Sequence, residues 1–340
     1  MTKSYHVCIH GAGGLGSVIG GYLAQTGQKV TLIGRQPHMD AINKDGLLIQ
    51  GIRGNVLIKD NLSAVTRPED VEGEIDYYIL LTKAKGATSA LNDAKVLRGQ
   101  VVTALTLQNG INKEAALQQA FGKESIIGAS IMEAAYLAEP GIVQNSMTVP
   151  TTAYFGELEK GSSSRTERLA ELFNEAGLGA KSVVDIQHVL WEKIVQVGGA
   201  SAWSASTLSG MPNLDYGDGL SVRAGAEHYV TIAKELLELY KKMGYKPQNF
   251  YTPISRLVEI DNADFEDAVK MMMEMGKQLR DKNTTNKLRT SMHEDILAGR
   301  KSEVDVILKP LCDAAQKHMV PVPTFMGAYR VIKTLDGYLN

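Results

Sequence analysis

Hydrophobic positions in the first half of the chain fall in short bursts separated by segments of helical spacing. Tyr5–His10, Lys29–Gly34, Ile75–Thr82, Val101–Thr106 and Ser125–Ile131 are apolar runs of strand length. Ile75–Thr82 (IDYYILLT) is too apolar for either face to meet water, which is how a strand inside a parallel sheet reads. Ser17–Thr26, Ala84–Ala94 and Lys113–Ala120 lie between the runs and read as helices. Strand and helix alternating in this way predict βαβ units, with a parallel sheet covered on both faces. Leu47–Gln50 and Asn55–Lys59 read as a hairpin, Gly141–Ser146 and Thr151–Gly156 as antiparallel edge strands, and Ser162–Ala176 as an amphipathic helix. Beyond Asp185 only helical patterns remain: His188–Gly198, Ser221–Met243, Phe265–Arg280 and Ser302–Lys317. The expected organisation is an α/β domain over residues 1–186 and an all-α domain over residues 187–340.

Composition narrows the function classes. The 340 residues are 44% hydrophobic and 22% charged, values of an ordinary globular chain. Lys and Arg total 36 against 38 Asp and Glu, so the formal charge is −2. That balance gives no bulk attraction to nucleic acid or to an anionic membrane, and neither partner is expected. The two cysteines, Cys8 and Cys312, have no metal-ligand spacing around them, and the histidines form no H-x-x-x-H pair. No metal site and no disulfide scaffold are expected, and a reducing, cytoplasmic setting is the natural reading. The run Met271-Met272-Met273-Glu274-Met275 reads as helix core or a subunit contact, which leaves a homodimer as the candidate assembly.

Candidate chemistry begins at Gly11-Ala12-Gly13-Gly14-Leu15-Gly16. This G-x-G-x-x-G run follows a strand and opens a helix, the context of a Rossmann-type dinucleotide site. Gly11 serves the tight turn, Gly13 the approach of a pyrophosphate and Gly16 the close packing of helix on strand. The helix start then offers N–H groups and partial positive charge to the phosphates. The second strand ends in Gly34-Arg35, where NAD and FAD sites usually place a carboxylate. An arginine there grips a 2′-phosphate, so NADP is favoured over NAD.

With these residues in view, the chain resembles the 2-dehydropantoate 2-reductase (ketopantoate reductase) family. The resemblance covers nearly the whole chain. It rests on GAGGLG with Arg35, Lys83 in Leu81–Ala84, Asn109 in Leu107–Gly110, Leu190-Trp191-Glu192-Lys193, Ser291–Ile296, Glu303 in Ser302–Asp305, and Pro321 with Pro323. It implies NADPH-dependent reduction of a 2-oxo acid to a 2-hydroxy acid, in the family's case 2-dehydropantoate to pantoate. Lys193 matches the catalytic lysine, and Glu303 the glutamate beside lysine and cofactor. Asn109 matches a residue near nicotinamide and substrate, Lys83 a cofactor-binding lysine, Ala135 a backbone contact to cofactor and Ser291 a substrate-binding serine.

The residue types suit that chemistry. Hydride arriving at a ketone carbon drives negative charge onto its oxygen, and a lysine ammonium stabilises that charge and supplies the proton. Ser291 with Glu294, and Ser302 with Asp305, also scan as capping boxes, which puts Glu303 in a first helical turn. The substrate side departs from the family. Val197 and Ser201 stand where amides are common on the helix of Lys193, Leu308-Lys309 replaces a later Asn-Gly, and Asn213 is the counterpart of a further substrate-binding asparagine. With positions 193, 197 and 201 in one stripe, the pocket wall gains an apolar residue and a short one. The alternatives are a related reductase on another 2-oxo acid, an opine-type dehydrogenase, and a non-catalytic NADP-binding sensor. The retained Lys193, Asn109 and Glu303 argue against the sensor.

Overall fold

The computed structural model describes residues 4–282 and 287–339. The chain forms two compact units, one comprising residues up to Gln108 with Asn112–Leu190, the other Asn109–Ile111 with Trp191 onward. The elements of the first unit, in chain order, are β1 (His6–His10), α1 (Gly14–Gln25), β2 (Lys29–Ile33), α2 (Gln36–Asp45), β3 (Leu47–Gly51), β4 (Val56–Ile58) and β5 (Leu62–Val65). They continue with β6 (Ile75–Leu80), α3 (Ala84–Ala94), β7 (Val101–Thr106), α4 (Ala115–Phe121), β8 (Ile127–Ile131), β9 (Ala134–Glu139), β10 (Ile142–Met147), β11 (Ala153–Glu157), α5 (Ser164–Glu175) and β12 (Ala180–Ser182). Helix α6 (Ile186–Leu208) starts in this unit and supplies the second from Trp191.

A five-stranded sheet in the order β5-β2-β1-β6-β7 forms the centre, and every pairing in it is parallel. All five residues of β1 are buried, as a strand covered on both faces requires. β2 and β6 flank β1 on opposite sides, so the turn after β1 lies at a topological switch point, where open α/β sheets bind ligands. A bridge from Ala104 to Ile126 leads on to a three-stranded sheet, β12-β11-β8. A four-stranded sheet, β4-β3-β10-β9, lies on the other side of α1. That layering explains the glycines inside α1. A Cβ at Gly20 would come 2.6 Å from a Leu32 methyl, and one at Gly21 2.6 Å from the Ile49 Cδ1, so the helix packs close on both sides.

The second unit is helical: α7 (Tyr216–Ser221), α8 (Arg223–Lys242), α9 (Leu257–Asn262), α10 (Phe265–Lys282), α11 (Ser291–Leu297), α12 (Val304–Ile307), α13 (Lys309–His318) and α14 (Pro323–Asp336). Its core gathers on fully buried Trp203, whose indole N–H donates to the Gly225 carbonyl at 2.8 Å and whose ring meets Tyr216 and Tyr229 edge-on. Met272 is core, and Met271, Met273 and Met275 pack half-buried against it. Cys8 and Cys312 are both free and buried. Among the described residues no helix is long and apolar enough to cross a membrane.

The α/β-then-helical reading holds, and the structure corrects several details. Gly141–Ser146 and Thr151–Gly156 do not pair with each other and neither lies at an edge. β10 sits between parallel β3 and antiparallel β9, and β11 between antiparallel β8 and parallel β12. The helix expected to stop at Gly198 continues to Leu208. The backbone there is packed rather than broken, since a Cβ at Gly198 would lie 2.5 Å from Leu311 Cδ1. The helix expected over Ser302–Lys317 divides at Leu308, and Pro310 lies in the first turn of α13. Neither serine caps. Thr290 is the N-cap of α11, its Oγ1 accepting from His293 N, and Ser291 is the first helical residue. Ser302 donates to Asp336 Oδ1 at 2.9 Å, and Glu303 takes the N-cap position of α12 without a side-chain cap bond.

Candidate active site

The Gly-rich turn is held by its own backbone. The amides of Gly11 and Ala12 both donate to Ile33 O at 3.0 Å, which ties the turn to the end of β2. Gly11 has φ +113°, and a Cβ there would meet Thr82 N at 2.4 Å, so only glycine lets β6 pass this close. A Cβ at Gly16 would lie 2.5 Å from Gly11 O, the close helix–strand packing expected of that position. At Gly14 the obstacle is Tyr136, whose Cα would be 2.4 Å away: β9 crosses directly over the start of α1. Gly13 differs from all three. It is exposed, nothing lies within 4 Å of a Cβ built on it, and it is the N-cap of α1 without a side-chain cap. The Gly14, Leu15 and Gly16 amides belong to a first turn with no intrahelical acceptors and no acidic side chain. An open N-terminus of this kind fits a dinucleotide pyrophosphate. Ala12 is buried and Leu15 half-buried against the core.

Arg35 and Lys83 stand at the ends of the two strands flanking β1. Arg35 is exposed, is the N-cap of α2, and its guanidinium makes no ion pair among the described residues. Lys83 is exposed and is the N-cap of α3, one residue beyond the Thr82 that packs on Gly11. Ala135 lies in β9 opposite Asn145, next to the Tyr136 backbone that covers Gly14.

Asn109, Lys193 and Glu303 come together in the second unit. The Lys193 ammonium donates to Asn109 Oδ1 at 3.1 Å, and Asn109 Nδ2 donates to Glu303 Oε2 at 3.4 Å. The order is therefore lysine, amide, carboxylate: Glu303, which the resemblance puts beside the lysine, bonds Asn109. Lys193 is 8% exposed, while Asn109 and Glu303 are half-buried. Gly110 turns the chain with φ +100° against Val306, beside Glu303. The helix of Lys193 is anchored by its neighbour. Glu192 is 1% exposed and accepts from the amides of Gln248 at 2.6 Å and Phe250 at 2.8 Å. A cation set next to a fixed amide and carboxylate can stabilise a developing alkoxide and return a proton to it.

The remaining expected positions sit farther from this trio in character. Val197 is half-buried against the helical core. Ser201 is fully buried, and its Oγ has no hydrogen-bond partner among the described residues. Ser291 and Asn213 are exposed. Ser204, on the helix of Lys193, bonds Thr290 Oγ1 at 2.8 Å, which ties that helix to the start of α11. Among the described residues no group of three or more His, Cys, Asp or Glu could hold a metal ion.

Sequence reasoning missed two half-buried cations. Lys113 donates to the carbonyls of Gln108 at 2.6 Å and Ala129 at 2.9 Å, and enclosure pushes its ammonium down to about 8, with Glu114 opposing. Arg53 pairs with Glu133, a partner 80 residues away whose side chain is fully enclosed. No local pattern announces a pair so distant in sequence.

The chain matches the family descriptions "Ketopantoate reductase PanE/ApbA" over residues 7–160 and "Ketopantoate reductase PanE/ApbA C terminal" over residues 185–336. It is 30% identical over 339 residues to a 2-dehydropantoate 2-reductase of Pyrococcus horikoshii, with 97% of both chains covered. The chain belongs to the ketopantoate reductase family. A 2-dehydropantoate 2-reductase of Halobacterium salinarum is 26% identical, covering 97% of this chain and 96% of that one. Among solved structures, a D-mandelate dehydrogenase with NADH and anilino(oxo)acetate superposes with a TM-score of 0.75 at 22% identity, with 98% of each chain covered. That likeness shows a shared fold, the Rossmann-type α/β domain and helical domain of the family's members.

Proposed function

We propose that this oxidoreductase reduces a 2-oxo acid to a 2-hydroxy acid with NADPH, converting 2-dehydropantoate to pantoate as its named relatives do. The observation that carries the reading is the chain of contacts from Lys193 through Asn109 to Glu303. Residues 1–186 act as the dinucleotide-binding domain and residues 187–340 as the substrate domain. Gly11, Ala12, Gly13, Gly14, Leu15 and Gly16 hold the pyrophosphate, Arg35 grips the 2′-phosphate, Lys83 adds a further cation to the dinucleotide, and Ala135 offers backbone to it. The bound dinucleotide supplies the hydride. Lys193 donates a hydrogen bond to the ketone oxygen, stabilises the charge that develops there and delivers the proton. Asn109 keeps the ammonium aimed, and Glu303 fixes the Asn109 amide from its other side.

A second reading, a family reductase acting on another 2-oxo acid, is favoured by Val197 and Ser201. Val197 cannot bond a substrate hydroxyl, and Ser201 buries its own hydroxyl with no partner among the described residues. Ser291, exposed at the start of α11, would meet the substrate carboxylate. The deciding experiment follows NADPH oxidation across a panel of 2-oxo acids, with and without amines. Turnover of 2-dehydropantoate well above the others supports the first reading, and preference for a branched or aromatic acid supports the second. Amine-dependent turnover would indicate an opine-type reaction, and none with any acid would leave a dinucleotide-binding sensor.

A further inference from the structure

The dinucleotide turn is covered by a strand that has little to hold it. β9 is the edge strand of its sheet, paired only with β10, and its residues from Tyr136 to Glu139 are exposed. Yet its backbone at Tyr136 lies directly against Gly14. The β9–β10 register shifts between Asn145 and Met147, opposite Ala135 and Ala134, so Ser146 is an extra residue in β10 and the pair of strands bends beside Ala134 and Ala135. Beside the ladder, Asn145 Nδ2 donates to Ala134 O at 3.1 Å and to Glu133 Oε1 at 2.6 Å.

Arg53 organises this bend. The turn Gly51–Gly54 delivers it: a Cβ at Gly51, φ +124°, would overlap Asn145 O, and Ile52 N donates to that oxygen at 3.1 Å. The guanidinium forks onto both Glu133 oxygens and also donates to Asn145 Oδ1 at 2.7 Å and Thr148 Oγ1 at 2.5 Å. Thr148 in turn donates to Glu133 Oε2 at 2.8 Å. The Arg53 Cζ stands 5.7 Å from the centroid of Tyr22, a residue of α1 itself. The ion pair therefore touches the helix that starts at the turn and the strand that covers it. A partly buried ion pair contributes little net stability compared with apolar residues of the same shape, and the contacts of this one point instead to a positional role.

Resting on the dinucleotide site proposed above, we propose that Arg53 and Glu133 are positioning residues for the dinucleotide. Their pair sets the bend that lays Ala135 and Tyr136 along the first turn of α1, and cofactor affinity depends on that bend.

The test compares the full-length wild type with Arg53→Met, Arg53→Lys and Glu133→Gln. Four quantities are measured: NADPH affinity by fluorescence titration, KM for NADPH against kcat, amide hydrogen exchange over residues 134–139, and thermal melting. Arg53→Met should raise the NADPH Kd and KM about tenfold while kcat at saturating NADPH stays within about twofold. Exchange over 134–139 should accelerate in the cofactor-free protein, and Arg53→Lys, which keeps charge without the fork, should fall between. If Arg53→Met does not fold, the near-isosteric Glu133→Gln carries the same expectation. Unchanged NADPH affinity in variants that fold overturns the proposal, as does a loss of kcat at unchanged KM. A wild type that binds no NADPH overturns this proposal together with the dinucleotide reading. A wild type that binds it as tightly as its variants overturns this proposal alone.

Discussion

Two neighbouring glycines should respond in opposite ways to the same methyl group. At Gly13 nothing lies within 4 Å of an added Cβ, and the backbone, φ −88°, suits any residue. Gly13→Ala should therefore fold normally, the gain of about 0.4–1 kcal/mol from a stiffer unfolded chain being offset by alanine's poorer fit at an N-cap. Its methyl, however, stands where the motif needs a bare backbone for a pyrophosphate to approach the free amides of Gly14, Leu15 and Gly16. Displacing a phosphate from those charge-assisted bonds costs about 1.5–3 kcal/mol, or roughly ten- to a hundredfold in NADPH affinity. At Gly14 the methyl would lie 2.4 Å from Tyr136 Cα, where ordinary contact begins at 3.4 Å, so backbone must move by about 1 Å. Overpacking of that size costs about 1–3 kcal/mol and should lower Tm by roughly 2–10 °C. NADPH titration and thermal melting on both variants give the comparison. Full NADPH affinity in Gly13→Ala would remove the pyrophosphate from this turn. A Gly13→Ala protein that melts as early as Gly14→Ala would show that the open space is not open.

Lys193→Met, which keeps the buried stem and removes the charge, should lower kcat by about 10² to 10⁴-fold with NADPH affinity little changed; a kcat within a few-fold of wild type excludes the ammonium from the chemistry. Arg35→Ala should weaken NADPH roughly ten- to a hundredfold and leave NADH nearly unaffected, and equal use of both cofactors by the wild type would refute the arginine's role. His38 is buried with its pKa lowered by desolvation, and Nδ1 accepts from Gly141 N at 2.8 Å, so Nε2–H is the donor to Ser17 Oγ at 2.9 Å. A folded-state pKa below the unfolded value gives stability that is complete above about pH 6.5 and lost as pH falls through the folded value, at up to about 1.4 kcal/mol per pH unit. His38→Gln should flatten the acid limb of a Tm-against-pH curve, and an unchanged limb would refute this.

Parallel strands were legible because they are written twice, once as apolar runs and once by the helices between them. Ile75–Thr82 could only be buried on both faces, and it became β6, second strand from one edge of the parallel sheet. The strands misplaced from sequence are those whose partners are distant. β10 pairs with β3, nearly a hundred residues earlier, and no local alternation distinguishes an interior strand from an edge. Caps failed by one residue for a similar reason. Ser291 and Thr290 are equally good cap residues in sequence, and the bond from Thr290 to Ser204 on another helix accompanies the choice.

The candidate site divides along the same line. Its dinucleotide half was readable because phosphate binding uses backbone geometry, and glycine is the residue type that marks backbone geometry in a sequence. The structure still changes what those glycines are for. Gly14 carries no requirement of the motif, yet it is the position over which β9 passes. Lys193, Asn109 and Glu303 came from resemblance rather than pattern, since 84 and 194 residues separate the members of the two bonds that join them. What the resemblance could not supply is their order. With the amide in the middle, removing Asn109 separates lysine from carboxylate, whereas removing Glu303 leaves the lysine its bond to Asn109. Asn109→Ala should therefore cost more in kcat than Glu303→Gln, and the reverse ranking would mean that Glu303 acts on the lysine directly.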